Sequence, residues 1–233
     1  MITPPIKKKI QDVISVFETS SVKPRYDILV TLHDGPGKCL QITYGKHQTT
    51  EYGNLKALIK MYCDSYGRYA SDLRSYLAYI GRPDTPLAKN ESFKHLLKLA
   101  GTDYTMHEVQ DKFFDQYYWD PAFKFFQQNN FSLPLSMLVI YDSYVHSGGI
   151  LDFLRRRFGE RTPINSGNER RWIKAYTSVR DKWLENHTNE ILPPTDYRTD
   201  CLLEAIDTNN WELQHPVICK FNSFKQKDWV TIR

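Results

Sequence analysis

Apolar residues recur at helical spacing through most of this chain. Ile6, Ile10, Val13, Ile14 and Phe17 share one face of a helix expected over residues 4–18, and Pro4 and Pro5 suit its first turn. The same period predicts helices from Leu55 through Tyr62, over Tyr69 to Ile80, over 91–100 and 106–118, and a short one from Asp120 to Gln128. Two more are expected over 168–186 and 197–208. Leu133 to His146 is apolar on nearly all sides, which predicts a central buried helix. One stretch breaks the helical period. Tyr26 to Leu32 is rich in β-branched and apolar residues, Asp34-Gly35-Pro36-Gly37 is a turn signal, and Cys39 to Tyr44 alternates. Period two puts Cys39, Gln41 and Thr43 on one face of that second strand and Leu40, Ile42 and Tyr44 on the other. The polar set is expected toward a cleft and the apolar set toward a core. Many helices and one hairpin predict a mainly α fold. Gly81 to Pro86 is a breaker, and reads as a hinge between two lobes around a shared cleft: about 1–80 with returning C-terminal segments, and about 84–165. The tail through Trp229 is mixed and polar.

Composition narrows the class without naming a function. A chain of 233 residues with 41% hydrophobic and 25% charged positions fits a globular domain of one core or two lobes. The formal charge of +4, with no long Lys/Arg stripe, speaks against a nucleic-acid partner. No apolar run reaches the roughly 20 residues of a membrane span. Cys39, Cys63, Cys201 and Cys219 form no CxxC pair, so a metal site is not expected; disulfides and free buried thiols both remain open.

The candidate chemistry sits on two acids flanking the first strand. Glu18 ends the first helix, where the helix dipole disfavours a carboxylate and favours its protonated form. Asp34 lies at the hairpin tip; Asp before Gly is also common in ordinary surface turns. Two carboxyl groups facing each other across a bound chain are what inverting glycosidases use, one as proton donor and one to activate water. His47, in the polar loop after the hairpin, is a candidate substrate contact or a solvated loop residue. Asp142 lies inside the most apolar helix and needs a partner there; Arg180 on the long helix and Arg198 at the start of the last one have the context to supply it.

These segments, in this order, resemble glycoside hydrolase family 46, the chitosanases of the lysozyme-like superfamily. Phe17-Glu18-Thr19-Ser20-Ser21 resembles the family's segment around its catalytic acid, and His33-Asp34-Gly35-Pro36-Gly37 its Asp-Gly-x-Gly turn around the base. Tyr118-Trp119-Asp120-Pro121-Ala122 resembles a Tyr-Phe-Asp-Pro-Ala segment, and Ile140 to Gly148 the Tyr-Asp-x-x-Val-x-His-Gly stretch of the central helix. Glu169 opens a helix ending in Arg180, as in the family. The resemblance implies an α+β, lysozyme-like fold of two helical lobes around a cleft. It implies endo-hydrolysis of β-1,4-linked glucosamine polymer with inversion, Glu18 as general acid and Asp34 as general base. It also implies an Asp–Arg–Arg network of Asp142, Arg180 and Arg198 behind the cleft. No cofactor is implied; the expected partner is a polysaccharide and the expected state a monomer.

The chain departs from the family pattern in two places. Cys39 stands where the family has Thr five residues after the base, and a thiol is a poor partner for water. Thr43, with Gln41 in reserve, is therefore expected to hold the attacking water. The family's substrate-reading Asp after the hairpin matches Asn54, or Glu51 under a shifted loop. A lysozyme-like muramidase acting on peptidoglycan is the alternative, with mild positive charge in its favour; a non-catalytic glycan-binding protein on the same scaffold is the third reading. The N-terminal Met-Ile-Thr-Pro-Pro-Ile-Lys-Lys-Lys lacks the apolar run of a secretory signal, while a polymer substrate predicts an extracellular or exported enzyme.

Overall fold

The computed structural model describes every residue except His47, Phe224 and Lys225, and the backbone alone for residues 221–223 and 226–228. The chain divides into two compact units: Met1–Val22 with Tyr117–Arg233, and Lys23–Gln116.

The first unit opens with α1, Pro4–Thr19. Ile10, Val13, Ile14 and Phe17 are buried along one face. The helix stops at Ser20, which turns left-handed (φ 54°) and donates its N–H to the Val16 carbonyl.

The second unit holds a three-stranded antiparallel sheet of β1 (Leu29–Leu32), β2 (Gln41–Tyr44) and β3 (Thr49–Thr50), in that order. Leu32 pairs with Gln41, Val30 with Thr43, and Thr43 with Thr50. Both strands are shorter than the pattern predicts. β2 is the middle strand, and all four of its residues are buried, so both of its faces are packed over. The expected open polar face of Gln41 and Thr43 is therefore covered. The helices α2 (Leu55–Asp64), α3 (Ala70–Arg74), α4 (Glu91–Ala100) and α5 (Tyr104–Phe114) follow. Asn90 and Asp103 cap α4 and α5 by accepting the N–H groups of Phe93 and Thr105. The helix expected to reach Ile80 ends at Arg74, and residues 75–80 continue as turns, with Tyr79 N–H bonded to the Tyr76 carbonyl.

The expected hinge at residues 81–86 lies inside this unit, not between units. A buried carboxylate explains it. Glu51, 1% exposed, accepts the Ile42 N–H at 3.2 Å and the Leu87 N–H at 2.9 Å, tying the segment after the breaker to β2.

After a π-helical turn, Asp115–Trp119, the first unit resumes with α6 (Asp120–Gln128), α7 (Pro134–Ser147), α8 (Asp152–Arg155), α9 (Glu169–Glu185) and α10 (Tyr197–Asp207). Helix α7 is the core element the pattern predicts: Leu135 and every residue from Met137 to Tyr141 are fully buried. It ends at Gly148, where a positive φ of 76° suits glycine. The chain closes with an antiparallel hairpin, β4 (Val217–Ser223) and β5 (Gln226–Ile232), in a tail read from the sequence only as mixed and polar.

Candidate active site

In the first unit, Glu18 sits in the last turn of α1 with its side chain 14% exposed. Helix α10 holds that turn. The Tyr197 hydroxyl donates to the Phe17 carbonyl at 2.6 Å, and the Arg198 guanidinium lies 5.0 Å over the Phe17 ring. Arg198 Nη1 donates to Glu18 Oε1 at 2.6 Å. The rest of the same guanidinium faces inward: Nε and Nη2 both donate to Asp142 Oδ1, at 2.9 and 2.7 Å. Arg180 from α9 donates to the other oxygen, Oδ2. Two buried cations thus face two carboxyl groups, in a chain running Glu18–Arg198–Asp142–Arg180.

The electrostatics follow from that packing. Asp142 is fully buried. Burial alone would push its carboxyl up, but the Arg198 and Arg180 guanidiniums outweigh it and hold the group well below the usual carboxylate range. Arg198 is held cationic by the Asp142 and Glu18 carboxyls against the same burial. His146, one turn beyond Asp142 on α7, is pushed down to about 3 by burial and then by the two guanidiniums, so its imidazole is neutral at ordinary pH.

In the second unit, Asp34 is exposed on the loop after β1. Gly35 donates to the Cys39 carbonyl at 3.1 Å, and Lys38 to the Gly35 carbonyl at 2.9 Å. A Cβ at Gly35 would come within 2.7 Å of Cys39 Sγ and 2.9 Å of its carbonyl oxygen, so the tight loop requires glycine there. Gln41 orients the carboxylate: its Nε2 donates to Asp34 Oδ1 at 2.9 Å, while its Oε1 accepts the Tyr52 N–H at 3.4 Å.

The other expected site residues fall differently. Thr43 is 3% exposed, and its hydroxyl oxygen is shielded and meets no partner among the described residues. Gln41, the reserve, is the strand residue that reaches Asp34. Glu51 is 1% exposed, and both of its carboxylate oxygens accept backbone N–H groups in the interior. Asn54 stands at the N-cap of α2 without a side-chain capping bond. His47 lies outside the described residues. Tyr197, whose hydroxyl holds the Phe17 carbonyl, carries no sequence signal beyond its adjacency to Arg198. A groove of about 580 Å³ between β1 and α4, lined by Val30, Leu32, Lys94, His95 and Lys98 among others, contains none of the expected site residues. Among the described residues no cluster of His, Cys, Asp or Glu is placed to hold a metal ion, and no helix is long and apolar enough to cross a membrane.

Comparison with known proteins decides the family. Residues 12–217 match the family described as Glycosyl hydrolase family 46. The chain belongs to glycosyl hydrolase family 46. It is therefore a glycoside hydrolase on a lysozyme-like, mainly helical fold. A chitosanase of Bacillus subtilis (strain 168) is 25% identical over 239 aligned residues, covering 94% of this chain and 83% of that protein. Among solved structures, a mutant chitosanase from Bacillus subtilis MY002 complexed with 6 GlcN superposes with a TM-score of 0.81 at 21% identity, covering 99% of both chains. The Gynuella sunshinyii family 46 chitosanase in complex with chitotetraose gives a TM-score of 0.79 at 20% identity, covering 100% of both chains.

Proposed function

We propose that this family 46 member is an endo-acting chitosanase that hydrolyses β-1,4-linked glucosamine polymer with inversion. The observation that carries the reading is the wiring of the two acids: Glu18 sits at a helix end backed by a buried charge network, and Asp34 sits on an exposed, glycine-tightened loop and is aimed by Gln41. Substrate class is supported by the chitosanase relatives along nearly the whole chain.

In this mechanism Glu18 gives its proton to the glycosidic oxygen as the bond to the leaving sugar breaks. Asp34 takes a proton from water, whose oxygen attacks the anomeric carbon from the opposite face. Glu18 then carries a new negative charge. Arg198, already at 2.6 Å and fixed by Asp142, meets that charge without rearranging, which is how preorganised groups lower a barrier. Gln41 holds Asp34 in one orientation, so the base is presented without an entropy cost at the moment of reaction. Asp34 leaves the step protonated and Glu18 ionised; exchange with solvent restores both. A polymer substrate does not cross membranes, so the enzyme acts outside the cell that makes it.

A formal charge of +4 favours a second reading, a muramidase on anionic cell wall, over a polycationic substrate. Reducing-end release from chitosan, N-acetylated chitin oligomers and purified peptidoglycan separates the two. The proposal expects release from chitosan, abolished in Glu18→Gln. Release from peptidoglycan alone, or equal release by Glu18→Gln, contradicts it.

A further inference from the structure

The first unit contains two cysteines that the glycosidase chemistry does not use. Cys201 is on α10 and Cys219 is on β4, which packs against that helix. Both are buried, at 3% and 0% exposure. Their sulfurs are 3.7 Å apart, with Cys201 Sγ directed at Cys219 Sγ as a thiol donor. A disulfide needs about 2.05 Å, so the gap to close is about 1.7 Å. The other two cysteines make no such pair: Cys63 donates to the Ala70 carbonyl at 3.4 Å, and Cys39 lies partly exposed beside the Asp34 loop.

We propose that Cys201 and Cys219 are a disulfide site, closed when the chain meets an oxidising compartment and stapling α10 to the C-terminal hairpin. Its placement gives the bond a consequence. Cys201 lies one turn after Arg198, the residue that holds both Glu18 and Asp142. The staple fixes the helix that presents that guanidinium. The inference rests on the two sulfurs and stands whether or not the substrate is chitosan.

The chemistry balances as thiol–disulfide exchange with a small-molecule disulfide such as glutathione disulfide. One thiolate attacks the oxidant, forming a mixed disulfide and releasing one glutathione thiol. The second cysteine then attacks the protein sulfur of that mixed disulfide, forms the Cys201–Cys219 bond and releases the second glutathione. Two protein thiols are oxidised and one glutathione disulfide is reduced to two thiols. In the folded protein the hydrogen bond to Cys219 and burial push the Cys201 thiol up, so exchange is fastest while the chain is still folding.

The sequence supplies a clean readout. No Lys or Arg lies between Thr199 and Cys219, so trypsin places both cysteines in the single peptide Thr199–Lys220. Wild-type protein is refolded from urea in a glutathione redox buffer, scored for recovered far-UV circular dichroism, alkylated in denaturant and digested. The expected peptide is two hydrogens lighter than its dithiol form and takes alkyl groups only after reduction, while Cys39 and Cys63 are not joined to it. Oxidised protein should melt about 5–10 °C above the same protein kept in reductant, and Cys201→Ala/Cys219→Ala should erase that difference. Alkylation of both cysteines before reduction, separate glutathione adducts on each, or a link from either to Cys39 or Cys63 would overturn the proposal. The mass readout needs no variant, so it holds even if the double substitution fails to fold.

Discussion

Replacing Asp142 with alanine removes the one carboxylate shared by both buried arginines. In the wild type Asp142 is fully buried and accepts from Arg198 twice, at 2.9 and 2.7 Å, and from Arg180 once. Among the described residues the variant leaves Arg180 with no salt-bridge partner and Arg198 with Glu18 alone. Arg180 has little in reserve, because its Nε and Nη2 already meet no partner among the described residues. Stranding a buried charge costs about 3–5 kcal/mol, far more than an exposed ion pair is worth. For a chain of this size that corresponds to a fall in Tm of roughly 6–20 °C. Differential scanning calorimetry at neutral pH reads it directly, and urea titration checks that the m-value, and so the transition, is unchanged. Activity measured well below the new Tm should fall too, because Arg198 loses the anchor that aims it at Glu18. A variant that melts within a degree of wild type refutes the reasoning. It would mean that the guanidiniums find other partners or water at no cost.

Three further outcomes follow from single contacts. His146 titrates near 6.5 in an unfolded chain but is pushed to about 3 in the fold by burial and the neighbouring guanidiniums. Between those values the unfolded state binds a proton that the native state does not, so stability should fall as pH drops from about 6.5 toward 3. His146→Gln should flatten that slope in urea titrations between pH 6 and 4, and an unchanged slope would assign the acid sensitivity elsewhere. Asp142 acts in the same direction at the low end, since its depressed carboxyl stays ionised where the unfolded one, near 3.9, is protonated. Gln41→Ala should lower kcat by about 10–100-fold at nearly constant KM, because it frees Asp34 without touching the substrate, and should also cost about 1–3 kcal/mol of stability because the Tyr52 N–H loses its partner, so activity is compared well below the Tm; a change in KM alone would make Gln41 a substrate ligand. Glu51→Ala leaves two interior N–H groups unpaired and should cost about 2–5 kcal/mol in thermal unfolding with KM unaltered, whereas a weakened KM at wild-type Tm would return Glu51 to the substrate.

The helical framework was legible because its signal is long and periodic. Over α1, α4, α7, α9 and α10 the apolar spacing sets the buried face, and the ends fall within a residue or two of the expected positions. The pairing of Asp142 with Arg180 and Arg198 was also within reach, since an acid in an all-apolar helix demands partners and arginine supplies them. Three things were not. Period two predicts which residues alternate but not what packs over each face of the sheet, so it marks Thr43 as polar and open where the fold leaves it 3% exposed. Glu51 reads as a loop acid because nothing local marks the Ile42 and Leu87 amides it will satisfy. The β4–β5 hairpin interleaves Lys and Asn with Val, Cys and Phe. Its strands are fixed by pairing with each other and by packing against α10 and α1, contacts that a local window does not contain.

The proposed chemistry has Glu18 and Asp34 act as acid and base on opposite faces of one sugar bond. The anomer of the first-formed product tests this most directly, read by proton NMR on fresh glucosamine oligomer digests before mutarotation. Inversion at a β-1,4 bond predicts that the α-anomer appears first and then relaxes toward equilibrium. If the β-anomer appears first, the bond is cleaved with retention, Asp34 is not activating water in a single displacement, and the assignment of the two carboxyls is contradicted.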